Sequence, residues 1–599
     1  MTISTRRYSL FTLLALLVLP AQAAETAAIE AGRKIYLEGV LPSGEPLKGV
    51  RFGSTEVSGA QAACVNCHRP SGMGSVEGDT QVSPVASNYL FGTGEDKPIA
   101  TMDPRVSKRF SKTHDPYTEE ALAASIRTGM NNMGAHMNEL MPHYEINDAD
   151  MQSLIAYLRQ LSPKWSPGAT GDRIHFATVI TPDVEPERRK AMLDTMRTIF
   201  KQKNGSTITT AKHAGGKRLH MVSAAELVLG TERNWSLDIW ELKGAPETWR
   251  AQLDAYYRAR PVFALVSGLS NGNWEPVHDF CEEQKIPQWF PSLTLPVQKP
   301  GQYSLYFSRG VALEAEVLAQ HLAGMNRQPK RVWQVYRDDY TGRGAAQQFE
   351  RAMAQLKIKV DNVVLPAAMA DDPTEALRLA VAKMAGKDSA AMFWLRPDDV
   401  VALNGIAPPQ GTKSYFSGVL ASAGPDVFPH AWKKNMRMVY PYELPETRAL
   451  NLQYFHAWMN INKLEVVDET LQSEIFFSLN FLTDTLSEML NNLYRDYLVE
   501  RGESMINRRE GAKVEQEVRD LRLMGLKNEL IRKHGHMNIE EGSRLVVGQT
   551  NLHKREGTTI YPRLSLGPGQ RFASKGAYIV RYSTAKEGDL LAESEWIVP

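Results

Sequence analysis

The sequence predicts a multidomain chain: an all-α domain followed by a larger α/β module with a C-terminal β extension. Three observations predict it. The chain has 599 residues, and single hydrophobic cores stop growing at roughly 250–300. Residues 26–163 carry helical patterning around a Cys-x-x-Cys-His motif at Cys64, Cys67 and His68. From Ile174 onward, apolar β-rich runs alternate with amphipathic helical stretches, the signature of parallel sheets covered by helices.

The N-terminus reads as a targeting segment. Arg6 and Arg7 precede an apolar run over residues 10–19, and Pro20-Ala21-Gln22-Ala23 follows. A charged region, a short apolar region and an A-x-A site predict a signal peptide over residues 1–23 and a periplasmic mature protein. The run is shorter than the about 20 apolar residues that a bilayer requires. An uncleaved anchor is the alternative. No later stretch has the apolar length of a span, so none is expected after cleavage. With a formal net charge of +1, composition offers no electrostatic reason for nucleic acid or an anionic membrane as partner. Only three cysteines occur, so there is no disulfide framework. Cys281, on an amphipathic stretch, reads as a small buried hydrophobe.

Ala63-Cys64-Val65-Asn66-Cys67-His68 supplies the chemistry. Two thiols on one turn reach the two vinyl groups of a single haem, and the adjoining histidine falls under the iron. A zinc site would want further thiolates, and only Cys281 remains. A redox dithiol would want a strand before the motif and a helix after it. The reading is therefore one covalent haem c on Cys64, Cys67 and His68. Helices are expected over residues 28–37 and 148–161; with the motif above, the stretch resembles class I cytochromes c, whose first and last helices cross at a glycine and an aromatic, which implies Gly32 against Tyr157. The sixth ligand should come from just before the last helix, where Met130, Met133, Met137, Met141, His136 and His143 are candidates.

Over residues 26–163 the chain resembles exported mono-haem class I cytochromes c. Gly39-Val40-Leu41-Pro42-Ser43-Gly44, the stretch from Cys64 to Gly78, and Tyr89-Leu90-Phe91 carry that resemblance. Met141-Pro142-His143-Tyr144 looks like the family's "M-P-x-Y" stretch, which implies Met141 as axial ligand; a thioether favours Fe(II) and raises the potential. The loop Ser71–Glu77 departs from that of minimal cytochromes.

After a Pro- and Gly-containing linker at residues 164–170, strands are expected over 174–180, 235–242, 261–267, 286–290, 331–336, 360–365 and 390–395. Helices are expected over 185–203, 246–258, 273–284, 314–324, 344–356 and 373–385, and again over 476–499. Residues 515–533 are charged and read as a solvated helix face. A strand-turn-strand over 561–572 and a strand over 577–582 make the β extension at 546–599.

Residues 171–545 resemble type I periplasmic binding proteins, especially branched-chain amino-acid receptors. The resemblance rests on Pro261-Val262-Phe263-Ala264-Leu265-Val266-Ser267-Gly268-Leu269-Ser270 and on Lys330 to Gly344, which looks like the second-lobe strand and its "D-x-Y-G" loop, except that Thr341 intervenes between Tyr340 and Gly342. It implies two α/β lobes closing on a small molecule, an amino acid or other carboxylate. Ser267, Ser270 and Thr294 would sit near an anionic group, with Tyr340 facing them. Asn271 and Trp274 stand where the family has smaller residues.

No hydrolase, zincin or nucleotide-binding motif occurs, and His213, His220 and His278 are scattered, so no catalytic residues are assigned. The expected function is periplasmic electron transfer to a partner protein such as a dehydrogenase or oxidase, with a fused small-molecule-binding module; it is not enzymatic. Three rivals remain: a transport or sensing receptor with a haem redox sensor, an enzyme whose haem serves a substrate in the cleft, and a scaffold with inert lobes.

Overall fold

Gly32 decides how the first unit is built. It lies on a helix over residues 24–38 that crosses the helix Asp148–Gln160. A methyl group at Gly32 would meet the Ser153 carbonyl oxygen at 2.0 Å and Tyr157 Cβ at 2.8 Å, so only glycine lets the backbones approach this closely. The Tyr157 ring fills the space beside the crossing, with its centroid 5.3 Å from that of Tyr36. The expected pairing of Gly32 with Tyr157 is present. Asn147 caps the second helix through the Asp150 amide at 2.9 Å, and Asp148 and Asp150 complement its dipole.

The computed structural model describes residues 24–77, 80–92, 114–212, 233–368, 372–384, 386, 388–421, 427–511, 559–567, 569–583 and 589–599. The expected signal peptide, residues 515–533, His213 and His220 lie outside them. Among the described residues, 24–166 and 486–500 form one compact unit, and 167–212, 233–485 and 501–599 form another. No helix among them is long and apolar enough to cross a membrane.

The first unit is not all-α. Strands β1 (Lys48–Arg51) and β2 (Thr55–Ser58) form a hairpin. The two-residue strands β3 (Val76–Glu77) and β4 (Thr80–Gln81) form a second, and β5 (His143–Glu145) pairs with β1. These strands are too short for an alternating pattern to announce them in the sequence. The second hairpin accounts for the long loop after the haem motif. The core of this unit gathers Ile35, Tyr36, Leu90, Leu122, Ile126, Leu154, Ile155 and Leu158.

Residues 486–500 belong to the same unit. Tyr89 donates to Asn492 Oδ1 at 3.2 Å. Trp165 and Ser166, within the stretch expected as a linker, are fastened there: the Trp165 indole donates to the Asn491 carbonyl at 2.7 Å, and the Ser166 amide to the Leu493 carbonyl at 2.9 Å. Glu500 is buried and accepts from the Ser71 amide at 2.8 Å and its hydroxyl at 2.5 Å. The continuous helix expected over 476–499 is broken. Glu469–Met489 ends at Leu490, whose φ is 55°, and a new helix runs over 495–511. Apolar spacing continues across the break, so periodicity alone missed it.

The second unit holds two seven-stranded sheets. The first contains β6 (Arg173–Ile180), β7 (Asn234–Glu241), β8 (Ala264–Val266), β9 (Leu269–Ser270), β10 (Gln288–Trp289), β11 (Ser292–Leu293) and β12 (Ser304–Leu305), paired parallel throughout. The second runs β14 (Val360–Leu365), β13 (Arg331–Arg337), β15 (Ser389–Trp394), β16 (Thr412–Ser417), β17 (Met436–Tyr440), β18 (Tyr578–Tyr582) and β19 (Leu590–Ala592). Its first five strands are parallel and its last two antiparallel. The expected strands are present as β6, β7, β8, β10, β13, β14 and β15; β9, β11, β12, β16 and β17 were not anticipated. The strand-turn-strand expected over 561–572 is absent. That segment is irregular, with one bridge from Phe572 to Tyr306, and its prolines and glycines suit turns better than ladders.

Two predictions follow from this packing. Gly32→Ala gains up to about 1 kcal/mol of helix propensity, but overpacking costs about 1–3 kcal/mol and here strikes a backbone carbonyl. Net destabilisation is expected in denaturant titration, and Gly32→Val should cost more. The second concerns Glu500. Burial, the largest cause, pushes its carboxyl from 4.5 up to about 8. The folded state therefore keeps a proton that the unfolded state has lost, and stability falls as pH rises across that window. Glu314 and Glu474, raised to about 8 and about 7, act in the same direction. Glu500→Gln should reduce this loss of stability between about pH 5 and pH 8; an unchanged slope would show Glu500 ionised in the fold.

Candidate functional site

The haem motif is held by its own short turn. A 3₁₀ turn, Gly59–Ala62, leads into Cys64 and the helix Val65–His68. Arg69 ends that helix at a φ of 66°. Hydroxyl groups clamp both ends: Tyr144 donates to the Ala62 carbonyl at 2.9 Å and Tyr36 to the Arg69 carbonyl at 2.8 Å. Ser75 donates to the Cys67 carbonyl at 3.0 Å.

Cys64, Cys67 and His68 all line one cavity of about 420 Å³, walled by Leu90, Leu122, Ile126, Leu154 and Leu158. His68 Nδ1 lies 3.1 Å from the Ser83 carbonyl. A carbonyl can only accept, so Nδ1 carries the proton and Nε2 keeps the lone pair that a metal needs. Burial lowers His68 to about 4, which holds the ring neutral. Ser83 follows the β3–β4 hairpin, so the segment that departs from minimal cytochromes orients the histidine.

These residues fit a haem. Two thiols outside any disulfide and a neutral imidazole share one apolar cavity. Arg51 also lines it, and its Nε is buried with no hydrogen-bond partner among the described residues, while Nη2 donates to the Gln61 carbonyl at 3.0 Å. A buried donor without an acceptor is costly, and the carboxylate arms of a haem are suited to relieve it.

The sixth-ligand candidates separate by position. Met141, Met137 and His136 line the cavity. Met130 and Met133 are exposed by 39% and 62%. His143 does not line it; its imidazole packs against Gly129, where a methyl group would overlap Nε2. Met141 precedes β5, and the pairing of His143 with Val50 fixes its approach. His114 also lines the cavity, its ring centroid 4.6 Å from that of Tyr117 and tilted to it. A search confined to the stretch before the last helix overlooks it.

The second unit contains a cleft of about 1310 Å³. Ser270 and Thr294 line it. Ser267 does not: at a φ of 47° it turns inward, and its Oγ lies 2.6 Å from Ser478 Oγ in the core. Tyr340 does not line it either. It opens the helix Tyr340–Gln355, which Asp339 caps through the Gly342 amide at 2.7 Å. The extra residue before Gly342 puts Thr341 in the forward position, where its hydroxyl donates to the Asn271 carbonyl at 2.8 Å and lies 3.5 Å from Thr294 Oγ1. Trp274 is in the core, its indole donating to Gln288. Sequence reasoning missed most of the remaining wall. Arg188, Arg396, Tyr440, Tyr442, Arg448, Glu474 and Tyr561 come from segments with no motif.

The cytochrome c family profile matches residues 58–162. Against curated proteins, no relative matches. Several solved structures are similar at low identity. A fatty acid ABC transporter substrate-binding protein from Thermomonospora curvata is 14% identical, with a TM-score of 0.45 over 73% of this chain and 95% of that one. A leucine binding protein from Thermotoga maritima is 10% identical, with a TM-score of 0.45 over 71% and 99%. A solute binding protein of an ABC transporter from Rhodopseudomonas palustris, in complex with 3,4-dihydroxybenzoic acid, is 12% identical, with a TM-score of 0.46 over 71% and 98%. The chain thus joins residues 58–162, matched by the cytochrome c family profile, to an α/β module with two seven-stranded sheets.

Proposed function

We propose that this chain is a periplasmic one-electron carrier with a single covalent haem c, fused to a two-lobed module that binds a small molecule. The observation that carries the first half is the convergence of Cys64, Cys67, the neutral His68 and Met141 on one apolar cavity. Bound haem supplies one-electron chemistry between Fe(III) and Fe(II). The chain does the rest. Cys64 and Cys67 would hold the group through thioether bonds, with His68, aimed by the Ser83 carbonyl, as a nitrogen ligand. Met141, on the same cavity, would supply a thioether ligand, which disfavours a catalytic role. Leu90, Leu122, Ile126, Leu154 and Leu158 would exclude water, and Arg51 would hold a carboxylate of the group. The electron passes to or from a periplasmic protein such as a dehydrogenase or oxidase. The cleft of the second unit, with Ser270 and Thr294 on its wall, is the ligand site.

Two experiments test the haem reading. Protein exported from cells that attach c-type haem should carry one porphyrin per chain that survives denaturing electrophoresis, with a reduced α-band. Cys64→Ala combined with Cys67→Ala should abolish the covalent attachment; native chain without retained porphyrin would end the electron-carrier account. Met141→His should lower the reduction potential by on the order of 0.1 V, a fraction of the about 0.8 V that axial ligation spans, and remove the sulfur-to-iron charge-transfer band. Retention of that band in Met141→His, with its loss in Met137→Leu, would assign the ligand to Met137 instead.

A further inference from the structure

The apolar haem cavity holds an imidazole that the electron-carrier reading does not use. His114 lines it together with Cys64, Cys67, His68 and Met141. The segment that carries it is fastened at several points. The His114 ring packs against Tyr117, whose amide donates to the Leu90 carbonyl at 2.8 Å. The Asn132 side-chain amide donates to the Asp115 carbonyl at 2.8 Å, which ties the segment to the loop that leads to Met137 and Met141. Thr118 then starts the helix Glu119–Thr128, capping it through the Ala121 amide at 3.2 Å.

The tautomer of this ring suits a metal. His114 Nδ1 lies 2.8 Å from the Asp115 carbonyl oxygen. That oxygen can only accept, so Nδ1 holds a proton, and the neutral ring keeps its lone pair on Nε2. His68 is prepared in the same way by the Ser83 carbonyl. An acceptor behind one ring nitrogen is the general support for an imidazole that binds metal through the other. The remaining histidines of this region are placed differently. His136 lines the cavity but is exposed on the loop, where its backbone bridges Met130. His143 is outside the cavity, against Gly129.

Resting on the reading of this cavity as a haem site, we propose that His114 is a reserve axial ligand, whose Nε2 takes the iron when Met141 leaves it. The exchange breaks one iron–sulfur bond and forms one iron–nitrogen bond. Each donor is neutral and gives one electron pair, so no electron or proton is transferred. A thioether favours Fe(II), so its release belongs to the Fe(III) state, which imidazole suits better. The reserve keeps the iron six-coordinate and closed to small ligands, and so preserves a carrier from becoming a catalyst.

The test uses haem-loaded full-length protein carrying Met141→Ala. Its ferric iron is expected to be low-spin by electron paramagnetic resonance, without the sulfur-to-iron charge-transfer band. Adding His114→Ala should make that iron high-spin and tighten cyanide binding at least about tenfold, because no side chain then has to be displaced. Adding His136→Ala instead should leave the iron low-spin. Covalently retained porphyrin and a cooperative melting transition report that each variant is folded. Should Met141→Ala fold poorly, Met141→Leu, closer in volume, carries the same measurements. High-spin iron in the single variant would overturn the proposal. A retained sulfur band would also overturn it, giving the reserve place to Met137. Low-spin iron after loss of both Met141 and His114 would overturn the assignment to His114. Porphyrin missing from the unsubstituted protein would overturn the haem reading itself, which high-spin iron in Met141→Ala leaves intact.

Discussion

The missing side chain at Gly32 sets the geometry of the haem-binding unit. With the helix over residues 24–38 in backbone contact with Asp148–Gln160, Tyr36 is brought close enough to fix the Arg69 carbonyl. Leu154 and Leu158, on the second helix, become walls of the cavity. The motif and its surroundings thus depend on a contact made far from Cys64 in the chain. Interiors packed to crystalline density transmit such a constraint, because few voids can absorb a shift. Glu500 adds a second restraint by gripping Ser71, in the loop just after His68. A short helix of four residues, Val65–His68, would be marginal alone; here the flanking carbonyls are held by side chains from three other segments.

How much was legible in the sequence differs sharply between the two units, for a physical reason. Attachment of haem through two thiols and a histidine requires those groups on one turn, so the chemistry is written in five consecutive residues. The crossing was also readable, because glycine and an aromatic on two helices form a recurrent pair. The small strands were not, since two to four residues give no usable period. In the second unit, period-two and period-3.6 patterns located the longer elements up to β15, but not the two-residue strands β9, β11 and β12. The break at Leu490 escaped because apolar spacing continues on both sides of it, and a left-handed leucine has no signal of the kind that glycine gives.

Ser267 and Tyr340 show the limit of carrying roles across a resemblance. Both sit at the expected place in chain order, and both point elsewhere. At Ser267 a positive φ turns the hydroxyl toward Ser478, a partner more than two hundred residues away. At Tyr340 the one-residue insertion of Thr341 shifts which side chain stands at the helix start. A change of one residue there rotates the direction of a side chain by about a quarter of a turn, since a helix repeats every 3.6 residues. Thr341, not the tyrosine, then reaches Asn271 and Thr294.

Three buried glutamates fasten distant segments of the chain together. Glu314 and Glu500 each have both oxygens engaged by hydroxyl or amide donors. Those donors compensate much of the cost of removing a carboxyl from water, so burial there locks two segments together. Glu474, as deeply buried, takes the Tyr561 hydroxyl on one oxygen with Ser292 beside the carboxyl, so it too joins segments far apart in the chain.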